Sequence, residues 1–516
     1  MDAVSAQTVS AWARHLGVNP ADIDVRRLRR DLASGTLPAV FAAAARRSPT
    51  ATVQIGSERC THAALHGCAA RSASVLAAHG IAPGARVILC AGTSMDFAVC
   101  YLAILHTGAT VVLANPGYTR TELQHLVDRS AAALLLVDDE AAWVPDVETL
   151  AVAEVTTRAT DAAELALAEL SADDTALLAY TSGTTGRPKG VPLSHGMLLA
   201  SIRAVMRAWR WSPDDTLVHA LPLFHQHGLG GLHASLLAGS NAVVLARFDP
   251  HDLVAAVDRE RATIVFAVPS IHRRLVSLDA DELQPLRRLR FITSGSAALS
   301  PALAEELITR TGTQPLERYG LTESGLDVSN LYDGNRVLGT VGFPLPGVEV
   351  ELFDAAGSIV RAGSEGEIAL RGPQVFTGYL DDAAATEAAF WPGSWFRTGD
   401  LGRLDDDGRL AITGRLKELI ITGGMNVSPR EVERIIEELP GVTQAAVAGL
   451  ASERWGEEVA AWVESDDAID PTTVMEHCRA HLAAYKCPKQ VFVIDALPRN
   501  AMGKVVRNQL VAGSGR

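Results

Sequence analysis

Cysteine is scarce and scattered in this chain. Cys60, Cys68, Cys90, Cys100, Cys478 and Cys487 form no CxxC pair and no cluster spaced like metal ligands. That pattern argues against a disulfide scaffold or a zinc site and predicts reduced core thiols in a cytoplasmic protein. Basic charge is also short: 46 Lys and Arg against 60 Asp and Glu give a net charge of -14. Non-specific nucleic-acid binding needs the opposite balance. An anionic substrate remains compatible, because a local pocket can be positive on an acidic protein. No apolar run is long enough to span a bilayer. The basic N-terminal stretch "RHLGVNPADIDVRRLRRDL" is broken by acids and leads into no apolar segment, so a secretory signal is not expected.

What is present is a large core. Hydrophobic residues make up 48% of 516 and charged residues 21%, a globular balance over a length that predicts two or three domains. From about Leu37 to Asp139 helical and strand patterns alternate: "LPAVFAAAARRS", "ARVILCAG", "MDFAVCYLAILHTGATVVLAN", "AAALLLVDD". The rhythm continues through "NAVVLA", "ATIVFAV" and "LRFITSG". Strands alternating with helices predict parallel sheets and an α/β class. After Gly342 the segments "VEVELFD", "GEIALRG" and "GRLAITG" predict a small antiparallel β region. A compact α+β tail follows, and the junction is placed near Leu416, giving domains 1–416 and 417–516.

The stretch "YTSGTTGRPKG" (Tyr180 to Gly190) follows a strand-like run and precedes "VPLSHGMLLASIRAVMRAW", read as a helix. Its glycines let backbone N–H groups converge, its hydroxyls add donors and Lys189 adds charge. Such a nest suits a polyphosphate. A Walker A loop is ruled out, because Gly190 stands where Ser or Thr would follow the lysine.

"YTSGTTGRPKG" closely resembles the phosphate-binding signature of the adenylate-forming superfamily, which includes acyl-CoA synthetases. "ERYGLTESG", "WFRTGD", "GRLKELIITGGMNVSPREVE" and "LPRNAMGK" resemble further motifs of that family, in the family's order. The resemblance implies a large N-terminal domain with mixed sheets and a small, mobile α+β C-terminal domain. It implies ATP, Mg²⁺ and coenzyme A, with an acid converted to acyl-AMP and then to a thioester. Thr181, Ser182, Gly183, Thr184, Thr185, Gly186 and Lys189 would hold phosphates. Glu323 would hold Mg²⁺, Thr322 would donate to the α-phosphate, and Tyr319, Ser296 and Ala297 would face adenine. Asp400 would take the ribose hydroxyls, with Arg415 on ribose or phosphate. Lys504 would bridge the carboxylate and the α-phosphate as a flexible point charge. Lys417 matches the hinge, and Gly423 and Gly424 a face of the pantetheine tunnel.

"LPLFHQHGLGG" falls in the acyl-pocket region; its glycines suggest a loop, with His225 and His227 as donors to an oxygen. In "VPSIHRRLVSL", Arg273 and Arg274 point to different sides of a helix, and a surface position for both is the plainer reading. The pattern Pro-x-x-x-x-Arg-Leu resembles malonyl- and methylmalonyl-CoA synthetases, which implies that Arg274 holds a second carboxylate, aided by Arg336 in "YDGNR". His272 and "LANPGYT" depart from that subgroup. The expected protein is therefore an acyl-CoA synthetase for a small dicarboxylate. A larger acid, or a carrier protein as acceptor, is the alternative. No nucleic acid or membrane partner is expected, and the chain is read as a monomer or homodimer.

Overall fold

The computed structural model describes residues 4–139, 146–181, 189–422, 425–452, 455–465, 469–500 and 503–513. Two large mixed sheets dominate. The first runs, in spatial order, Phe343–Pro344, Val328–Ser329, Leu316–Tyr319, Phe291–Ser294, Ile264–Phe266, Thr216–His219, Asn241–Val244, Thr52–Ile55 and Glu58–Thr61. Its six central strands are parallel and its edges antiparallel. The second runs Glu148–Ala151, Leu134–Val137, Arg86–Cys90, Thr110–Leu113, Thr175–Thr181 and Lys189–Ser194, parallel except for the last strand. Strands such as Leu134–Val137 are buried along their whole length, the mark of a parallel sheet covered on both faces.

Helix Met95–His106 shows how the core is built. Ser94 caps its first turn, and every residue of it except Asp96 is buried. A helix apolar all round must sit inside a large protein. Burying Phe97 alone contributes about 1.5–3 kcal/mol.

The predicted antiparallel region is a five-stranded sheet holding Glu349–Phe353, Glu365–Arg371, Phe390–Trp391, Trp395–Leu404 and Leu410–Arg415. From Ile420 onward a separate five-stranded sheet packs on helices Pro429–Ile436 and Pro471–His481, with its own apolar cluster around Val432, Val447 and Val474. Two local expectations differ from the structure. "VPLS" belongs to strand Lys189–Ser194, and the helix starts only at His195, with Ser194 as its cap. "QHGLGG" opens helix Gln226–Ala238 rather than a loop. Its glycines are there for packing: a Cβ on Gly228 would collide with the Pro222 carbonyl, and one on Gly231 would stand 3.0 Å from Leu217.

All six cysteines are free. No helix is long and apolar enough to cross a membrane among the described residues.

Burial depresses many histidines. His15, His62, His195, His219 and His272 are pushed down from 6.5 to about 4, chiefly by desolvation. The unfolded chain binds these protons near pH 6.5, whereas the folded chain resists them. Stability is therefore full above pH 6.5 and falls towards pH 4, by up to ~1.4 kcal/mol per pH unit for each histidine. Urea midpoints measured from pH 7 to pH 5 should drop steeply; a flat profile would show that these rings are solvated in the folded state.

Candidate active site

Parallel strands end on one side of their sheet, and that side of the first sheet is where the chain opens a cavity of about 1770 Å³. Strand Thr216–His219 leads to His225, Ile264–Phe266 to Ser270, Phe291–Ser294 to Ser296 and Ala297, and Leu316–Tyr319 to Thr322 and Glu323. All of these line the cavity. Thr181 and Lys189 reach it from the second sheet, Asp400 and Arg415 from the antiparallel sheet, and Lys504 and Lys417 from the C-terminal part.

Asp400 is held from both sides. Arg415 Nε stands 2.6 Å from its Oδ1, and the Tyr319 hydroxyl donates to Oδ2 at 2.7 Å. Antiparallel pairing places Asp400 directly opposite Arg415. Burial nevertheless pushes the Asp400 carboxyl upward. Glu323 accepts from the Tyr379 hydroxyl at 3.2 Å, and burial raises its pKa too. Lys189 Nζ stands 4.7 Å above the Tyr379 ring, so Tyr379 links lysine and carboxylate. Burial, then the charge of Arg415, lowers Lys504. Burial, then Lys504, holds His225 near 4, so its ring is neutral at pH 7.

Arg318 was missed at the sequence level. Its Nε and Nη2 are buried without a hydrogen-bond partner among the described residues, and burial lowers it to about 10. The guanidinium lies against Gly295, where any Cβ would collide with it. Next to Gly295, Ser296 adopts a left-handed φ of 67° and sets its Oγ 3.1 Å from His227 Nδ1. His227 Nε2 is likewise buried and unpartnered. The signal was available: two charges, Glu317 and Arg318, inside a central parallel strand are out of place in a structural core. Tyr379 carried no local signal.

Two expected residues fall outside the cavity. The Arg274 side chain is 53% exposed, 3.8 Å from Asp249 and stacked on Phe248. It turns away because Arg273, one position earlier on the same helix, takes the inward face. Arg336 is structural: its guanidinium donates to the carbonyls of Leu331, Tyr332 and Gln314. Ser182, Gly183, Thr184, Thr185, Gly186, Gly423 and Gly424 lie outside the described residues.

Lys189, Arg318, Arg415 and Lys504 all line the cavity of this acidic chain. Such a set of cations around one cavity suits an anion that can face several at once. The fold and this site define an adenylate-forming enzyme, and the comparisons agree. The AMP-binding enzyme family matches residues 41–380, and the AMP-binding enzyme C-terminal domain matches residues 431–504. The chain belongs to this family and is an AMP-forming acid–thiol ligase, an acyl-CoA ligase in the broad sense. Among particular relatives, the crystal structure of ATP-bound MatB from Rhodopseudomonas palustris superposes with a TM-score of 0.87 at 36% identity, covering 93% of this chain and 99% of the other. Oxalate–CoA ligase from Arabidopsis thaliana is 36% identical over 88% of this chain and 93% of its own. Mitochondrial malonate–CoA ligase from Xenopus laevis is 33% identical over 84% and 83%.

A buried guanidinium with unpaired N–H groups costs about 1–3 kcal/mol per unsatisfied group. Arg318→Met should therefore raise the urea midpoint without changing the slope, despite removing a charge. A lowered midpoint would mean that Arg318 is satisfied in solution.

Proposed function

We propose that this ligase activates a small dicarboxylate, malonate or methylmalonate, with ATP and passes it to coenzyme A. The observation that carries this reading is Arg318, a buried arginine with donors to spare beside the Ser296–His227 pair. A second carboxylate on the substrate supplies the missing partner. The clamp role moves from Arg274 to Arg318 for that reason. The MatB and malonate–CoA ligase relatives support it, and the oxalate–CoA ligase widens it to short diacids. A larger acid is the second reading, favoured by the apolar wall of Leu198, Ile202, Val205 and Phe266 in the same cavity; there a separate carrier protein could replace CoA as acceptor.

In the first step a carboxylate oxygen attacks the α-phosphorus of ATP, the bond to the β-phosphate breaks, and diphosphate leaves. Lys504 draws the two anions together, and its pKa is lowered first by desolvation and then by Arg415. Thr322 and the neutral His225 are placed to donate to oxygens at the reacting end. Asp400, with Arg415 alongside, accepts from the ribose hydroxyls. Tyr319, Ser296 and Ala297 border the adenine, while Thr181 and Lys189 approach the phosphates. Glu323 fits a Mg²⁺ ion, which takes one or two protein carboxylates and fills its shell with phosphate and water. Bound there, the ion would neutralise phosphate charge. In the second step the CoA sulfur attacks the acyl carbon, the acyl–phosphate bond breaks, and the thiol proton passes to solvent. Lys504 has no anion to bridge in that step. We place its withdrawal in a rotation of residues 417–516 about Lys417, which lies in a short 3₁₀ turn, Leu416–Glu418; Gly423 and Gly424 would then border the pantetheine path.

Two measurements test this. Lys504→Ala should slow acid-dependent ATP–diphosphate exchange by at least about a hundredfold, the scale of one electrostatic donor, yet leave thioester formation from pre-made acyl-AMP largely intact. Equal loss of both half-reactions would contradict the assignment. Separately, wild type should favour malonate over butyrate by at least about tenfold in kcat/KM, as a desolvated charge pair supplies a few kcal/mol. Arg318→Met should erase that ratio and Arg274→Met should leave it unchanged. A wild-type preference for butyrate removes the diacid and keeps the ligase.

A further inference from the structure

Helix Pro269–Val276 touches the C-terminal part at two points on one face. Ser270 and Arg273 are three positions apart and so share that face. At the first point, Ser270 packs against Gly503: a Cβ on Gly503 would stand 2.6 Å from Ser270 Oγ, and Gly503 has a left-handed φ of 74°. Gly503 immediately precedes Lys504. At the second point, the Arg273 guanidinium donates through Nη1 to the Thr443 carbonyl. Strand Val442–Ser452 shifts register between Val442 and Gln444. A bulge of this kind takes one residue out of the ladder and re-aims its polar groups. Here it turns the Thr443 carbonyl to Arg273.

From Thr443 a chain of contacts leads to the lysine. The neighbouring Gln444 accepts through Oε1 from Arg499 Nη2 at 2.5 Å. Arg499 Nη1 donates to the Gly503 carbonyl at 3.2 Å. Asn500 Oδ1 accepts from the Lys504 N–H at 3.0 Å, and Asn500 N donates back to the Lys504 carbonyl at 2.9 Å. The turn that carries Lys504 is thus fastened at its base to the strand that Arg273 grips. The Glu437 carboxylate, paired with Arg430 at 3.3 Å, also acts on Arg273 through its charge, adding to the hydrogen bond that holds the contact.

We infer that Arg273 is a positioning residue for Lys504: by gripping the bulged Thr443 carbonyl, it locks the C-terminal part over the site in the geometry that serves adenylation and no other step. The inference rests on the two-step reading above. It explains why the two adjacent arginines diverge. Arg274 faces solvent, and Arg273 spends its charge on the lid rather than on substrate. The lock has to open before the thiol arrives, and a hydrogen bond to a carbonyl, weaker than a bidentate carboxylate pair, releases more readily.

The test compares wild type, Arg273→Met, which keeps the stem and loses the donors, and Arg273→Lys, which keeps one. With an acid that the wild type uses, Arg273→Met should lower kcat of ATP–diphosphate exchange about tenfold, the factor of one charge-assisted hydrogen bond. KM for ATP and acid should change less than about threefold, since no substrate contact is lost. Thioester formation from pre-made acyl-AMP should stay at the wild-type rate, and Arg273→Lys should recover part of the exchange. A second readout needs no acid: tryptic cleavage at Arg415 and Lys417 with ATP and Mg²⁺, where Arg273→Met should lose the protection that the wild type shows. Unchanged protection, equal loss in both half-reactions, or an effect confined to KM would each overturn the inference. Because the tryptic readout is independent of the acid, the lock can fail while the diacid reading stands, and the reverse.

Discussion

Everything at this site depends on holding like charges together in one cavity. Arg318 is buried in the cavity that Lys504 and Arg415 also line, and desolvation is the largest influence on Lys504 and Arg318. Cations so arranged repel, and the carboxylates of Asp400, Glu418 and Glu323 offset them only in part. The fold meets this demand with rigid supports. Arg318 projects from a central parallel strand and is flattened on a glycine. Arg415 is registered opposite Asp400 by strand pairing. Lys504 rides on a turn that is hydrogen-bonded at its base. A polyanion entering such a site gains from several preorganised charges at once, and none of them has to be reoriented during reaction.

The neutral histidines extend the same theme. His225 and His227 stand next to cations and in a dry environment, two influences that both oppose protonation. Neither ring therefore adds positive charge to a place already crowded with cations. The pair at i and i+2 is explained by the helix cap: His225 is the N-cap and His227 lies in the first turn, so both rings sit at the helix's open end rather than along one side.

Much of this was readable in the sequence. The alternation of strands and helices, the antiparallel insertion and the α+β tail follow from hydrophobic period, and each appears in the structure. The site motifs were readable because they are short and contiguous: Thr322 and Glu323 follow one strand end, and Asp400 and Arg415 belong to paired strands. What was not readable depends on docking. Arg273 and Arg274 differ by about 100° on a helix, and only the neighbour that arrives decides which one faces inward. Arg336 in a loop looks as available as any arginine until three carbonyls close on it. Tyr379 is over fifty residues from Glu323 and meets it only in three dimensions. "VPLS" and "QHGLGG" show local propensity giving way to packing, one to a ladder partner and the other to close backbone contact.

Arg318 has one more consequence, and it concerns descent rather than mechanism. A residue that opposes folding while serving selectivity is retained only as long as the selectivity is used. In a lineage where doubly charged acids cease to matter, replacement by an apolar side chain meets no folding barrier and gains stability as it spreads. The reverse change has to be carried by a scaffold with stability in reserve. On the proposed diacid reading, ligases for apolar acids are then the easy direction of drift on this scaffold.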